Sequence, residues 1–202
     1  SGYDFIDNHA NNFATTNDGT GRDGDPSDPG DWMTQAEVAG GAYGPDCVAD
    51  NSSWHGTQTA GLIGAATNNA VGMAGVGRNV MVLPVRVLGK CGGFDSDIIA
   101  AMQWAAGISI PGVPDNPTPA KVVNLSLGSA GSCSGGGTGT NYINAIAALT
   151  ARNVAVVVSA GNDGLAVNLP ANCAGAIAVG GLRHAGDKNG FSSLGPEVTI
   201  SA

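Results

Sequence analysis

Residues 154–162 read Val-Ala-Val-Val-Val-Ser-Ala-Gly-Asn, a β-branched apolar run that ends in small and polar residues. An uninterrupted apolar run of this length is typical of a strand buried on both faces of a parallel sheet. Three other runs, at 81–88, 121–127 and 176–182, have the same character. The sequence therefore predicts four buried parallel strands, the third of them at 154–159.

Helical patterns lie between these runs. Segments 95–106 and 141–152 space their apolar residues at helical intervals. A further helix is predicted to begin around His55 and to run through Leu62 and Ile63, buried and built mostly of small residues. Strands that alternate with helices indicate βαβ units. The predicted fold class is α/β, a mostly parallel, twisted sheet flanked by helices, in one domain over residues 1–202.

The composition is that of a folded globular protein with many turns. Of the 202 residues, 43% are apolar, 12% are charged and 33 are glycine, which argues against a disordered chain. The net charge of −8 argues against the basic surface that nucleic-acid binding requires. Because no apolar run approaches about 18 residues, no membrane span is predicted.

The four cysteines, Cys47, Cys91, Cys133 and Cys173, contain no Cys-x-x-Cys pair of the kind found in zinc or redox sites. We predict two disulfides, for which three pairings are possible. We favour Cys47 with Cys91 and Cys133 with Cys173, because each joins loops that flank the same edge of the predicted sheet. Each would close a loop of about 40 residues and contribute about 3–4 kcal/mol in the chain-entropy model. Disulfides would indicate export, and four free thiols in a cytosolic protein are the alternative.

Three short segments carry a family resemblance. They read Trp-His-Gly-Thr-Gln-Thr-Ala-Gly at 54–61, Val-Asn-Leu-Ser-Leu-Gly at 123–128 and Val-Val-Ser-Ala-Gly-Asn at 157–162. In this order they resemble the subtilase family of serine endopeptidases, and the resemblance extends over nearly the whole chain. It implies a subtilisin-like three-layer α/β/α fold and a secreted protein of the bacterial type.

In that family a catalytic aspartate precedes the histidine segment, and the nucleophilic serine follows the asparagine segment in a Gly-Thr-Ser-Met-Ala type motif. This sequence contains neither motif. The resemblance therefore implies that residues 1–202 are a central part of a subtilase catalytic domain, which we expect to be inactive by itself.

The resemblance implies two catalytic side chains. His55 corresponds to the general base, which needs one ring nitrogen toward the nucleophile and the other held by a carboxylate. Asn162 corresponds to the carboxamide that donates a hydrogen bond to the oxyanion of the tetrahedral intermediate. Without that resemblance, a lone histidine is more often a capping or core residue, and an asparagine beside glycine is more often a turn former.

The resemblance also implies a cleft for an extended substrate. Two backbone segments would form the walls of the pocket for the residue before the scissile bond: Ser126, Leu127 and Gly128 on one side, Ala160 and Gly161 on the other. Gly92 and Gly93 would form the other edge of the cleft. Glycines let two backbones approach closely, and ordinary loop glycines are the alternative.

Segment 67–73, Thr-Asn-Asn-Ala-Val-Gly-Met, resembles the high-affinity calcium loop of the family. The implied ligands are the side chain of Asn69 and the main-chain carbonyls of Thr67, Val71 and Met73. Calcium takes roughly six to eight oxygen ligands, so further ligands would come from outside this sequence. The ion would have a structural and not a catalytic role.

Segment 17–28 is a second calcium candidate because it is dense in carboxylates and turn residues. Its candidate ligands are Asp18, Asp23, Asp25 and Asp28. The spacing does not match an EF-hand, since no glutamate follows at the twelfth position. A solvated acidic loop is an equal alternative.

Together these features predict a serine endopeptidase that cleaves protein or peptide substrates through an Asp-His-Ser triad. The alternative is a non-catalytic pseudo-protease or peptide-binding module that uses the same cleft. A nucleotide-binding protein is disfavoured, because the glycine-rich segment 72–77 lacks the Lys-Ser/Thr of a phosphate loop. We expect a secreted monomer with structural calcium and no nucleic-acid partner.

Overall fold

The computed structural model describes residues 2–7, 15–41 and 43–202. The chain divides into two compact units, Ser1–Ala101 and Met102–Ala202, which we call the N-terminal unit and the C-terminal unit. This division does not test the prediction of one domain over residues 1–202, which stays a prediction. In chain order the elements are β1 (Tyr3–Asp4), α1 (Gln35–Ala39), α2 (His55–Gly64), β2 (Val85–Arg86), α3 (Asp95–Ala105), β3 (Val122–Leu125), a 3₁₀ turn (Cys133–Gly135), α4 (Thr138–Thr150), β4 (Ala155–Ser159), β5 (Ala176–Gly180) and β6 (Val198–Ser201).

The C-terminal unit contains a four-stranded parallel sheet in the order β3-β4-β5-β6. In its register Val123 pairs with Val156, and Val158 pairs with Ala178. All four side chains are buried. The alternate residues on the other face of β3 are exposed, so the prediction that the strands are buried on both faces is wrong for β3. The strands predicted within 121–127, 154–159 and 176–182 are confirmed.

Helix α4 packs against β4 in the same unit. Tyr142, Ile146 and Leu149 recur at intervals of three or four residues and are fully buried, which places one apolar stripe of the helix on the core. The predicted helices at 95–106 and 141–152 correspond to α3 and α4, although α4 begins earlier, at Thr138. The parallel strands and these helices confirm the predicted α/β class.

The strand predicted at 81–88 is wrong in its extent. Only β2 is a strand, and it pairs in parallel with β1 in a separate two-stranded sheet. Pro84 has no N–H to donate, so a ladder of hydrogen bonds cannot continue through it. Met81 and Val82, which precede the proline, are exposed.

Helix α2 begins at His55 as predicted, but the prediction that it is buried is wrong. No residue of α2 is buried, and its two large apolar side chains, Leu62 and Ile63, are 54% and 39% exposed. These two residues are adjacent and not three or four positions apart, so they form no apolar stripe along the helix. The remaining small residues offer little apolar surface to bury.

A buried ion-pair cluster joins the start of the N-terminal unit to β2. The Arg86 Nη1 donates to Asp4 Oδ2 at 2.5 Å and to Asp18 Oδ2 at 2.6 Å, and its Nη2 donates to the Thr16 carbonyl. Burial raises the pKa of Asp4 to about 6, although the Arg86 guanidinium opposes this shift. The cluster therefore holds Asp4, Thr16 and Asp18 against Arg86 of β2.

A second ion pair links α1 to the loop after β2. Lys90 Nζ donates to Glu37 Oε1 and lies 4.7 Å from the centre of the Trp32 ring. Glu37 Oε2 also accepts hydrogen bonds from the N–H and the hydroxyl of Thr34, which completes the capping box of α1. The hydrogen bond from Lys90, followed by those from Thr34, lowers the pKa of Glu37 from 4.5 to about 2.

This lowered pKa predicts that part of the free energy of unfolding is lost in acid. The folded state favours ionised Glu37, so its contribution to the free energy of unfolding is present above about pH 4.5 and is lost as the pH falls toward 2. In the full-length protein, Glu37→Gln should reduce the loss of stability on acidification. Urea unfolding at about pH 6 and about pH 3 measures the loss. Equal losses in the wild type and the variant would contradict the prediction.

The predicted disulfide pairing is confirmed in both units. Cys47 pairs with Cys91 at a Cα–Cα distance of 5.7 Å, and Cys133 pairs with Cys173 at 5.2 Å. Among the helices in the described part of the chain, none has the length and apolar character needed to cross a membrane.

Candidate active site

The carboxyl ends of β3, β4 and β5 meet at one edge of the C-terminal sheet, where a cavity of about 280 Å³ lies. Four predicted site residues line this cavity: Ser126, Ala160, Gly161 and Asn162. In open α/β sheets, ligands bind outside the carboxyl ends of the strands. The cavity is therefore the candidate site of the C-terminal unit.

Asn162 follows β4 after a turn that requires glycine. Gly161 has a φ of +110°, and a Cβ at this position would lie 2.9 Å from the Ser193 Oγ. Asn162 is exposed, so a ligand in the cavity can reach its carboxamide. This carboxamide offers two N–H donors beside a cavity that small residues leave open.

Only part of the other predicted pocket wall, residues 126–128, lies at the cavity. Ser126 lines it and accepts a hydrogen bond from Asn124 Nδ2 at 3.1 Å, whereas Leu127 and Gly128 are not among the lining residues. A Cβ on Gly128 would lie 2.8 Å from the Leu169 carbonyl oxygen. This close backbone approach requires glycine at 128, whatever its role in a pocket.

Sequence reasoning did not predict the contribution of Phe191 and Ser192, which also line the cavity. They follow β5 in an irregular stretch where Leu182 and Lys188 form an isolated antiparallel bridge. Hydrogen bonds between segments distant in sequence bring them to the site, and hydrophobic periodicity carries no signal of such contacts.

His55 lies in the N-terminal unit as the first residue of α2, preceded by Trp54 with a φ of 52°. His55 is exposed, and its main-chain N–H donates to Ser53 Oγ at 3.3 Å. The carboxylate of Asp31 accepts from both the N–H and the hydroxyl of Ser53, at 2.6 and 2.7 Å. Partial burial raises the pKa of Asp31, but the hydrogen bonds from Ser53 and the nearby His55 outweigh burial and hold this pKa below its usual range.

The predicted site residues are distributed over both units. His55, Gly92 and Gly93 belong to the N-terminal unit, and Asn162 belongs to the C-terminal unit. A Cβ on Gly93 would lie 2.1 Å from the Val87 carbonyl oxygen, so backbone contact alone requires glycine there. A common site for His55 and Asn162, and a cleft edge at 92–93, stay predictions.

The predicted calcium loop encloses a cavity of about 160 Å³ that residues 66–74 line by themselves. Left-handed φ values at Asn68, Ala70 and Gly72 alternate along the loop. Asn69 Oδ1 lies within the loop and accepts the Val71 N–H at 3.1 Å. A concave loop that is rich in main-chain carbonyl and carboxamide oxygens fits the ligand preference of a hard cation such as Ca²⁺.

The acidic segment 17–28 is arranged differently. Asp18 binds Thr20 and Arg86, and the other three carboxylates each accept the main-chain N–H two residues further on: Asp23 from Asp25 at 2.8 Å, Asp25 from Ser27 at 3.0 Å and Asp28 from Gly30 at 2.9 Å. Over residues 2–7, 15–41 and 43–202, no group of three or more His, Cys, Asp or Glu side chains is placed to hold a metal ion. The structure does not bring these four carboxylates together.

Comparison with known proteins agrees with the family resemblance of the sequence motifs. A family model described as the subtilase family matches residues 6–202. An extracellular protease of Xanthomonas campestris pv. campestris is 46% identical over 100% of this chain and 33% of its own length. An extracellular basic protease of Dichelobacter nodosus is 43% identical over 100% of this chain and 32% of its own length. The chain thus spans about a third of the length of these relatives.

Solved structures support the predicted fold. A protease from Pseudoalteromonas arctica has a TM-score of 0.88 and 43% identity, over 100% of this chain and 56% of that one. A cold-adapted subtilisin-like serine proteinase has a TM-score of 0.57 and 29% identity, over 77% of this chain and 51% of that one. The subtilisin-like α/β fold predicted from the sequence is confirmed.

Proposed function

Because the chain belongs to the subtilase family, we propose that the full-length protein is a serine endopeptidase that hydrolyses peptide bonds in protein substrates. The observation that carries this proposal is the cavity at the carboxyl edge of the C-terminal sheet, where Asn162 lies beside the small residues Ala160 and Gly161. Such a cavity offers a hydrogen-bond donor next to space for a substrate backbone.

In this mechanism His55 accepts the proton of a serine hydroxyl supplied by a segment beyond this sequence. The serine Oγ forms a bond to the carbonyl carbon of the scissile peptide, and the carbonyl oxygen becomes an oxyanion. Protonated His55 then gives that proton to the amine nitrogen as the C–N bond breaks, which leaves an acyl-enzyme for water to hydrolyse. An aspartate from a segment that precedes this sequence would orient the imidazole.

Asn162 donates from Nδ2 to the oxyanion. This hydrogen bond strengthens as negative charge develops on the oxygen, so it stabilises the transition state more than the bound substrate. The main-chain segments 126–128 and 160–161 would flank the side chain that precedes the scissile bond, and Gly92 with Gly93 would border the cleft on its other side.

We also propose that the protein is secreted and acts as a monomer without a nucleic-acid partner. The two relatives described above are extracellular proteases by name. Two disulfides are typical of proteins that fold in an oxidising compartment. The net charge of −8 disfavours nucleic-acid binding.

The loop at 67–73 is proposed to hold a structural calcium ion. Asn69 Oδ1 and the carbonyls of Thr67, Val71 and Met73 would be its ligands from this chain. Coordination of the ion by these oxygens would hold the loop in one conformation.

Chelation should therefore lower the Tm of the full-length protein. An ion at about 100 times its Kd that binds only the folded state contributes about 2.7 kcal/mol. The variant Asn69→Ala should lose most of the response to chelator, whereas Asp25→Asn should keep it. Calorimetry with and without chelator measures the response. Loss of the response in Asp25→Asn alone would assign the ion to segment 17–28, and no response in the wild type would remove both assignments.

Labelling by a serine-directed phosphonate tests the proposed activity. The full-length protein should be labelled at one serine, and His55→Ala should slow labelling strongly because the base is lost. A folded wild-type protein that binds peptides without being labelled would instead be a non-catalytic peptide-binding module.

A further inference from the structure

The segment 191–194, Phe-Ser-Ser-Leu, borders Asn162 along the main chain and has no role in the mechanism above. We call it the support segment. Four hydrogen bonds join it to residues 161–165: the Ser193 N–H to the Gly161 carbonyl at 2.9 Å, the Leu194 N–H to the Leu165 carbonyl at 2.9 Å, the Gly164 N–H to the Phe191 carbonyl at 2.8 Å, and the Asp163 N–H to Ser193 Oγ at 3.4 Å. Ser193 thus contacts the residue before Asn162 and the residue after it.

Ser193 also limits the space around that turn. Its side chain is fully buried, and its Oγ lies only 2.9 Å from the position that a Cβ on Gly161 would take. Since both main-chain neighbours of Asn162 are held to Ser193, the direction of the carboxamide depends on where the support segment lies.

Apolar packing contributes little to holding the support segment. Its two large side chains, Phe191 and Leu194, are 56% and 57% exposed. Ser192 Oγ accepts the N–H of Gly181, just past the end of β5, at 2.8 Å. Hydrogen bonds are therefore the main restraint on this segment.

Lys188 supplies the charged part of that restraint. Its Nζ donates to three main-chain carbonyls of the adjoining loop: Ser192 at 2.8 Å, Asn189 at 2.9 Å and Gly190 at 3.4 Å. An ammonium has three N–H donors, which matches the number of these carbonyl acceptors. Hydrogen bonds from a charged donor are stronger than those between neutral groups.

We propose that Lys188 is a positioning residue for Asn162, which acts by fixing the support segment and, through it, the main chain at 161 and 163. This inference rests on the proposed function, which gives Asn162 a part in the reaction. The mechanical link from Lys188 to Asn162 rests on the hydrogen bonds alone, so the two can be tested separately.

The kinetic test uses Lys188→Met in the full-length protein, which keeps the side-chain length and removes the donors. We expect kcat on a peptide substrate to fall by about 10- to 10²-fold, the range expected when a catalytic group is misplaced by up to about 1 Å. KM should change by less than about twofold. Lys188→Arg should restore much of kcat. Arg183→Met is the matched control, because Arg183 lies near Lys188 and pairs with the Asp187 carboxylate at 3.2 Å.

A double-mutant cycle separates positioning from a general structural effect. If Lys188 acts through Asn162, then Lys188→Met should lower kcat by less than about twofold in the Asn162→Ala background. An equal loss of kcat in both backgrounds, or an unchanged kcat in the single variant, would overturn the proposal.

Hydrogen exchange provides a readout without activity. Lys188→Met should speed exchange of the Ser193, Asp163 and Gly164 amides by about tenfold or more, with the Val158 amide in β4 unchanged. Unchanged exchange at these three amides would overturn the link. If Asn162→Ala leaves kcat unaltered, the proposed role of Asn162 fails, and hydrogen exchange alone then decides the link to Lys188.

Discussion

Substitution of His55 by alanine in the full-length protein is expected to lower kcat about 10⁶-fold, the size of loss that subtilisin itself shows without its triad histidine. The serine hydroxyl is a weak nucleophile until a base removes its proton, and the leaving amine needs that proton returned. Both transfers disappear with the imidazole. Burst-corrected kcat on a chromogenic peptide, with the folded fraction measured in parallel, gives the result.

Because of the position of His55, its substitution should change kcat without changing the stability of the fold. It is exposed at the first position of α2, so its removal leaves no cavity and should leave Tm close to the wild-type value. His184→Ala is the matched control, since His184 is exposed in the C-terminal unit and is not among the residues that line the cavity. A kcat of His55→Ala within about tenfold of the wild type would contradict its assignment as general base.

Substitution of Asn162 by alanine is expected to lower kcat by about 10² to 10³, the loss known for the corresponding donor in subtilisin. KM should change little, because the hydrogen bond forms with the oxyanion and only weakly with the ground-state carbonyl. Separate kcat and KM values from full progress curves measure this split.

Asn141→Ala is a matched control for the loss of a carboxamide, since Asn141 is exposed on α4. It should keep kcat within about twofold of the wild type. If Asn162→Ala raises KM and leaves kcat unaltered, then Asn162 binds substrate and does not stabilise the oxyanion.

The sequence predicted those parts of the fold in which one local pattern dominates. Residues 154–158 are apolar throughout and, apart from Ala155, are all valine, and residues 155–159 form β4, in which Val156 and Val158 are buried. The run at 81–88 has a similar composition, yet Pro84 stops its ladder and only β2 remains. Strand β6 was not predicted, because its four residues are largely exposed and its pairing with β5 includes a register shift.

The candidate site, like the fold, was predicted only in part. Short motifs identified Ser126, Ala160, Gly161 and Asn162, which the structure brings to one cavity because parallel strands end at the same edge. The support segment and Lys188 were not identified. Their hydrogen bonds join residues as distant in the chain as Gly161 and Ser193, mostly through main-chain groups, and main-chain groups are the same for every residue type except proline.

The central claim is that the imidazole of His55 and the carboxamide of Asn162 act on one scissile carbonyl. A crystal structure of the full-length protein labelled by a serine-directed phosphonate tests it most directly. We expect Asn162 Nδ2 to lie about 2.7–3.1 Å from the phosphonyl oxygen, and a His55 ring nitrogen to lie about 2.6–3.2 Å from the labelled serine Oγ. A label on a serine that neither side chain approaches would contradict the claim.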